Sequence, residues 1–298
     1  MSGIYIATSS EFVLDLAKRC KSGRMEVREY LARIGYEGPT QPSLENLKAI
    51  HERHILSVPF GSLSIHCGER IVPEVPLLYR KIVEQRRGGF CYELNGLFSW
   101  LLEELGYRLS LLSGQVRNPL TGRFGPPFDH LVLLVEFGDG RRWLCDVGFG
   151  NAFRKPLPLE AGRAERQDNG VFALHEEGGS WELCRTPPGG SEEATLYKFT
   201  LEGRRREDFR PMCDYHQTSP SSIFFCKSFC SLHLPGGMIT YMGKRLIATE
   251  YRPEGEAKIT TELTEEQIPH ILKERFGITL RNKLIPKDQD IVPPSTDY

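Results

Sequence analysis

The sequence predicts an α+β fold in which helices come first, a small antiparallel sheet or barrel follows, and a mixed segment comes last. Two observations support this prediction. Apolar residues recur every three or four positions in the first third, and the period changes to two after Gly106. The 298 residues are 40% hydrophobic and 26% charged, which is ordinary for a globular protein. This length suits one large domain, or two to three smaller ones that share a core.

The helical segments of the first third are separated by glycine and proline. They are predicted at Glu11–Arg19, Glu26–Ile34, Leu44–His54, Val75–Gln85 and Cys91–Leu105. The last of these is the clearest, because its leucines and Phe98 form one broad apolar stripe. Gly106 supplies the stop.

Short segments of period two follow, with Gly- and Pro-containing turns between them. The predicted strands are Ser110–Val116, Leu131–Phe137, Trp143–Val147, Gly170–Leu174, Trp181–Arg185, Tyr197–Leu201, Met238–Lys244 and Arg245–Tyr251. A final helix begins at Thr264, where Gln267 completes a capping box, and ends at Gly277.

Charge and hydropathy exclude several classes of protein. The net charge of −1 gives no electrostatic reason to expect a nucleic acid or an anionic membrane as partner. No apolar run approaches the roughly 18–20 residues that span a bilayer. The first residues, MSGIYIATSSEF, lack the basic start and apolar centre of a signal peptide, so we expect a cytoplasmic location.

The eight cysteines contain no C-x-x-C pair, and Cys226 and Cys230 have no matching pair of histidines. We therefore predict neither a metal site nor a disulfide framework, and expect mostly free thiols.

One cysteine occupies a special place, in the stretch RRGGFCYELN that begins at Arg86. Gly88 and Gly89 permit a tight turn, and Cys91 then falls in the first turn of the predicted helix. Unpaired N–H groups and the helix dipole stabilise a thiolate there, and Arg86 and Arg87 could add positive potential. The alternative is that Cys91 simply packs beneath the turn as a small apolar residue.

A histidine and an aspartate flank a predicted hairpin. A three-residue loop, Gly138 to Gly140, pairs Phe137 with Arg141 and places Val132 opposite Asp146. His130 is then a diagonal neighbour of Asp146, about 7 Å away and on the same face. Each side chain would cost several kcal/mol if buried without a partner, so the two should bond to each other.

Each of these residues also has an ordinary interpretation, His130 as a satisfied core histidine and Asp146 as a turn or cap residue. Together with Cys91 they form the nucleophile, base and orienting group of a Cys–His–Asp arrangement. Asp146 would fix the imidazole tautomer, and His130 would take the thiol proton. The pair is then expected to rest as thiolate and imidazolium.

These motifs resemble the arylamine N-acetyltransferases. The resemblance rests on RRGGFCYELN, VPFGSLSIHCG from Val58, the pair Asp129–His130 and DVGFG from Asp146, with YHQTSPSS from Tyr215 and SFCSL as support. It covers nearly the whole chain from about Tyr30. It implies a helical bundle (1–106), an antiparallel β-barrel-like domain (107–208) and an α/β lid (209–298), with a cysteine-protease-like Cys–His–Asp core.

The resemblance also implies an activity, the transfer of an acetyl group from acetyl-CoA to arylamines or arylhydrazines. The order would be ping-pong through an acetyl-cysteine on Cys91. Acetyl-CoA is expected as co-substrate, with no permanently bound cofactor and a monomer or weak oligomer as the form in solution. The resemblance assigns Phe60 and Phe149 to the walls of the amine pocket, and Tyr215 and Ser221 to contacts with CoA.

Two comparisons with the family pattern concern substrates, and a third concerns the start of the chain. Pro126 and Pro127 replace small residues where CoA approaches, so CoA contacts could differ there. Asn151 and Phe153 occupy positions that vary with amine preference, and the preferred amine cannot be read from them. The segment before Tyr30 is an extension without a counterpart.

Other enzymes with the same residue types remain alternatives. They are an amide synthase of the same fold, a transglutaminase-like acyltransferase and a papain-like thiol hydrolase; a non-enzymatic binding module is a further one.

Overall fold

The computed structural model describes residues 25–119 and 121–293. Its α-helices are Val27–Arg33 (α1), Leu44–Ser57 (α2), Leu63–His66 (α3), Val75–Tyr79 (α4), Cys91–Glu104 (α5), Arg210–Thr218 (α6), Ile223–Cys226 (α7) and Gln267–Phe276 (α8). The predicted helix Glu11–Arg19 lies outside the described residues. Among those residues, no helix is long and apolar enough to cross a membrane.

The four predicted helices of the first third that lie within the described residues are confirmed, with changes at their ends, whereas the short helix α3 was not predicted. The Ser43 side chain accepts a hydrogen bond from the Asn46 N–H and so caps α2. Helix α4 is shorter than predicted, because the chain widens into a π-helical turn at Arg80–Glu84. Helix α5 is buried over most of its length and forms the centre of the largest apolar cluster.

An eight-stranded antiparallel sheet follows the helices. Its strands are Arg108–Val116 (β2), His130–Glu136 (β3), Arg142–Cys145 (β4), Leu157–Pro158 (β5), Ala164–Gln167 (β6), Gly170–Glu177 (β7), Ser180–Thr186 (β8) and Ala194–Arg204 (β9), in the order β5-β4-β3-β2-β9-β8-β7-β6. Ala161, three residues after the end strand β5, forms a bridge with Leu174 of β7, the strand beside the other end strand β6, so the sheet is nearly closed. The predicted barrel-like sheet is confirmed.

A second antiparallel sheet lies in the last third. Its strands are Phe60–Gly61 (β1), Phe229–Leu234 (β10), Gly237–Met242 (β11), Arg245–Arg252 (β12) and Gly255–Glu262 (β13), in chain order across the sheet. Strand β1 belongs to the helical first third of the chain, so this sheet joins the first third to the last third. A Cβ on Gly61 would lie 2.2 Å from the Phe229 carbonyl oxygen, which explains the glycine.

The eight predicted strands are present, and five further strands were missed. Strand β13 has no apolar face, since most of its residues are exposed, and therefore shows no alternation to detect. Strands β1 and β5 have two residues each, too few to show a period. The final helix begins at Gln267 and not at Thr264 as predicted, because Glu266 is its N-cap. Gln267 still accepts a hydrogen bond from the Thr264 N–H, and Gly277 ends the helix in the left-handed conformation as predicted.

A buried arginine joins the two sheets. The Arg154 guanidinium donates hydrogen bonds of 2.7 Å to the carbonyls of Leu234 and Gly237, at the β10–β11 turn. Its Nε–H also lies 3.3 Å from Nδ1 of His233, whose other ring nitrogen donates to the Gly150 carbonyl. Arg154 is only 3% exposed, so its charge is buried away from water. The hydrogen bonds of its guanidinium therefore fix the position of the segment after Asp146.

Replacing Arg154 with methionine should destabilise the protein by about 2–4 kcal/mol, because two buried carbonyls lose their donor. Urea unfolding followed by circular dichroism measures the change. The control is Arg163→Met, which removes an exposed arginine paired with Glu160 and should cost less than about 1 kcal/mol. Equal losses for the two variants would contradict the structural role of Arg154.

Candidate active site

The turn before α5 is held by close backbone packing. The Gly89 N–H donates to the Pro59 carbonyl and the Gly61 N–H donates to the Gly89 carbonyl. A Cβ on Gly88 would lie only 2.0 Å from the Pro59 oxygen. Gly88 is therefore required by this approach of two backbones, and Gly89 by the Glu93 side chain beside it; the turn brings Cys91 to the first position of α5.

The electrostatic surroundings of Cys91 differ from the prediction. Arg87 faces away and forms a 3.1 Å ion pair with Glu69. The buried Glu93 carboxylate occupies the N-terminus of α5, where it accepts a hydrogen bond from the Phe90 N–H. Burial raises the pKa of the Cys91 thiol well above its ordinary value; a hydrogen bond with the Leu131 backbone lowers it, and Asp129 and Asp146 raise it further.

Burial thus favours the neutral thiol, whereas the helix dipole favours the thiolate, and the expected resting pair of thiolate and imidazolium stays a prediction. A neutral Cys91 needs a base that accepts its proton during the reaction.

The predicted hairpin register is confirmed. The Phe137 N–H donates to the Arg141 carbonyl, and Leu133 pairs with Cys145 in the same register. The predicted bond is also confirmed, since His130 Nε2–H donates to Asp146 Oδ2 over 2.7 Å. Both side chains are buried, at 2% and 1% exposure. This bond leaves Nδ1 of His130 as the nitrogen that can accept a proton.

The Asp146 carboxylate is fully engaged. Its Oδ1 accepts hydrogen bonds from Asn95 Nδ2 (2.8 Å) and from the Gly148 N–H (2.9 Å). Burial opposes ionisation of this group, but His130, Asn95 and Gly148 together hold its pKa below the ordinary value. Asp146 is therefore a carboxylate, and it favours the protonated form of His130 when that residue takes up a proton.

Asn95 and His51 were not identified from the sequence. Asn95 also donates to the Leu131 carbonyl (2.6 Å) and accepts from the Val147 N–H (2.8 Å), so it joins α5 to both strands of the hairpin. His51 donates from Nδ1 to the Arg154 carbonyl (2.7 Å) and accepts at Nε2 from the Asp146 N–H (3.1 Å). One signal was available: Asn95 is a polar residue four positions after Cys91, on the same helix face.

The segment before His130 is held from two sides. Phe128 has a left-handed backbone (φ 66°), which is uncommon for an aromatic residue, and its carbonyl accepts a hydrogen bond from the Tyr92 hydroxyl (2.8 Å). The Asp129 carboxylate lies 3.1 Å from Nε2 of His216 on α6. The other nitrogen of His216 lies 2.8 Å from the hydroxyl of Ser222, which caps α7.

A small pocket adjoins the His130–Asp146 pair. Its walls include Phe60, Phe149, Val58, Val147, Phe153, Ser231 and His233, with Asp146 at one side. The Phe149 ring lies 5.3 Å from the His130 ring. Phe60 and Phe149 are both partly exposed, as pocket walls are and core aromatics are not.

Tyr215 and Ser221 lie close to His216 in the chain, in and just after helix α6. Tyr215 is on α6 with its ring 5.5 Å from the His216 ring, and Ser221 is in the short segment between α6 and α7. Both are partly exposed. His216 in turn lies 5.9 Å from the ring of Tyr92, the neighbour of Cys91.

Acidic pH should destabilise the protein through its buried histidines. Burial lowers the pKa of His51 to about 4, whereas the unfolded residue titrates near 6.5. The unfolded chain then binds more protons below pH 6.5, so stability falls as the pH drops towards 4. At pH 5, His51 alone accounts for about 2 kcal/mol of this loss.

The variant His51→Gln tests this effect by urea unfolding at pH 7.5 and pH 5. Its stability should fall by about 2 kcal/mol less than that of the wild type. His270→Gln, which changes an exposed histidine on α8, serves as the control. The same loss in His51→Gln and in the wild type would contradict a neutral, buried His51.

Comparison with known proteins identifies relatives of this chain. A family model described as N-acetyltransferase matches residues 43–285. A pineal gland arylamine N-acetyltransferase of Gallus gallus is 38% identical over 282 residues, which cover 88% of this chain and 97% of the relative. Arylamine N-acetyltransferase 1 of Homo sapiens is 35% identical over 286 residues, 89% of this chain and 98% of the relative.

Solved structures agree with these sequences. The arylamine N-acetyltransferase of Mycobacterium smegmatis matches with a TM-score of 0.78 and 32% identity, over 86% of this chain and 93% of the other. The enzyme of Mycobacterium marinum in complex with CoA matches with a TM-score of 0.77 and 31% identity, over 85% and 93%. This chain belongs to the arylamine N-acetyltransferases, a family of acyltransferase enzymes that use acetyl-CoA as co-substrate.

Proposed function

We propose that this protein transfers an acetyl group from acetyl-CoA to the nitrogen of arylamines or arylhydrazines, in a ping-pong order through an acetyl-cysteine on Cys91. The observation that supports it best is the buried, hydrogen-bonded pair of His130 and Asp146. His130 directly precedes Leu131, whose backbone forms a hydrogen bond with the Cys91 thiol. A thiol, an imidazole and an orienting carboxylate are the groups that nucleophilic acyl transfer requires.

The first half-reaction loads the cysteine. Nδ1 of His130 accepts the thiol proton while the Cys91 sulfur attacks the thioester carbonyl carbon of acetyl-CoA. The tetrahedral intermediate collapses with cleavage of the bond to the CoA sulfur, and the imidazolium returns the proton to that sulfur. One thioester replaces another, so the acyl-enzyme keeps the reactivity of acetyl-CoA.

The second half-reaction makes the amide. The amine nitrogen attacks the acetyl-cysteine carbonyl carbon, His130 accepts a proton from that nitrogen, and the Cys91 sulfur leaves and is reprotonated. Asp146 stabilises the imidazolium in both halves because it is ionised and bonded to Nε2. Burial of Cys91 and His130 limits the access of water, which would hydrolyse the thioester.

We propose Phe60 and Phe149 as walls of the amine site. The two aromatic rings and the aliphatic residues between them suit a flat aromatic ring. Phe149 also packs on His130, so an amine placed against it lies next to the base.

We propose Tyr215 and Ser221 as contacts with CoA. The Mycobacterium marinum relative has been solved in complex with CoA, and the partly exposed α6–α7 segment is joined to Asp129, the residue before His130, through His216.

The remaining assignments are also proposals. The eight-stranded sheet falls within 107–208 and most of the five-stranded sheet within 209–298, in support of the three predicted parts. A cytoplasmic location and a monomer or weak oligomer stay predictions.

The other Cys–His–Asp enzymes remain the alternative. Incubation with acetyl-CoA and an aminobenzoate or arylhydrazine, followed by measurement of released CoA thiol, distinguishes them. Hydrolysis of peptides without CoA release would favour a thiol hydrolase and overturn the proposal.

Acetyl-CoA alone should add one acetyl group to the wild-type protein, as intact mass shows. The variant Cys91→Ala should remain unmodified, because it lacks the nucleophile. The control variant Cys184→Ala removes a thiol on strand β8 of the eight-stranded sheet and should still be acetylated. An adduct that persists in Cys91→Ala would place the nucleophile elsewhere.

Gly148→Ala should lower kcat at least tenfold. The added Cβ would lie 2.8 Å from the Cys91 Cα and 2.9 Å from Asn95 Nδ2, so it would push α5 away from the Asp146 turn. A displacement of about 1 Å that separates reacting groups costs roughly a hundredfold in rate. Gly138→Ala, where the hairpin has open space, should keep wild-type kcat, and an equal loss in both variants would contradict this explanation.

A further inference from the structure

Three possible metal ligands meet on the eight-stranded sheet. Strand pairing places Ala173 opposite Cys184 and His175 opposite Glu182. Since side chains alternate along a strand, His175 and Cys184 share one face, while Phe172, Leu174 and Leu183 fill the core on the other. Glu193 directly precedes β9.

The donor atoms of these residues are close together. Nε2 of His175, Sγ of Cys184 and a carboxylate oxygen of Glu193 all lie within 4.8 Å of one another. The imidazole and the carboxylate are 2.7 Å apart. The thiol is buried at the base of the cluster, and the other two side chains, 50% and 40% exposed, are open to solvent.

We infer that His175, Cys184 and Glu193 form a binding site for a divalent zinc ion. Nitrogen, thiolate sulfur and carboxylate oxygen are the donors that zinc prefers, whereas calcium and magnesium take oxygen ligands. Around a tetrahedral ion with bonds of about 2.0–2.3 Å, donor atoms lie about 3.5 Å apart. The exposed His175 and Glu193 side chains can reach that spacing by small rotations, and the thiol proton leaves to solvent.

Neighbouring groups support the site. The Thr195 hydroxyl donates to a Glu182 carboxylate oxygen (3.0 Å) and lies 3.5 Å from Cys184 Sγ. When the thiol proton leaves, this hydroxyl can turn from Glu182 and donate its one hydrogen to the sulfur, as residues hydrogen-bonded to metal ligands commonly do. Water completes the coordination.

The site is separate from the proposed catalytic centre. His130 packs against Tyr197, on the core side of the sheet, whereas Cys184 and His175 lie on the opposite face. The ion would fasten the segment before β9 to the β7–β8 hairpin. A search of the sequence for zinc motifs with paired cysteines does not find this site, because strand pairing and not proximity in the sequence brings the three ligands together.

Zinc titration by calorimetry tests the inference. The parent protein is Cys91→Ala, so that the proposed catalytic thiol cannot bind zinc. We expect this parent to bind one zinc ion per chain. Adding Cys184→Ala, His175→Gln or Glu193→Gln should each weaken binding at least tenfold. His270→Gln in the same parent changes an exposed histidine on α8 and should leave the affinity unchanged.

Cobalt gives a second readout. The Co²⁺-loaded parent should show a sulfur-to-metal charge-transfer band that Cys184→Ala abolishes. Absence of zinc binding to the parent, or equal affinity in the parent and the Cys184→Ala protein, would overturn the inference. Neither result bears on the acetylation of Cys91, which is measured without added metal.

Discussion

The buried carboxylate of Asp146 must find hydrogen bonds within the protein, and this need organises the centre of the molecule. An unpaired carboxylate with 1% exposure would be strongly destabilising. Its donors come from helix α5 (Asn95), strand β3 (His130) and the turn after β4 (Gly148), while His51 of α2 accepts from its backbone N–H. One ionised group thus fixes helices and sheet relative to each other.

Close backbone contacts complete this arrangement. Gly88 lies against Pro59, and Gly148 lies against the start of α5. Where a Cβ would meet backbone, the chain has no small adjustment to make, so these glycines set the distance between the Cys91 helix and the hairpin. Arg154 extends the same framework to the second sheet, since it hydrogen-bonds the β10–β11 turn while its own carbonyl accepts from His51.

The proposed chemistry follows from this burial. Desolvation raises the pKa of Cys91 and so opposes the effect of the helix N-terminus, which favours a thiolate. The proton must pass to His130, whose free nitrogen is defined by the bond of the other one to Asp146. The same exclusion of water that makes the thiol a poor acid protects a thioester on it from hydrolysis. Burial therefore costs reactivity in one step and preserves the intermediate in the next.

The sequence by itself determined four helices of the first third, eight strands and the hairpin register, because all of these depend on local periodicity and turn length. Residue types and the family motifs were enough to propose Cys91, His130 and Asp146. Only the tertiary structure decided the burial of Cys91, the direction of Arg87 and the hydrogen bonds of Asn95 and His51, since each depends on residues distant in the chain. The His175, Cys184 and Glu193 cluster is of the same kind, because only strand pairing brings its donor atoms together.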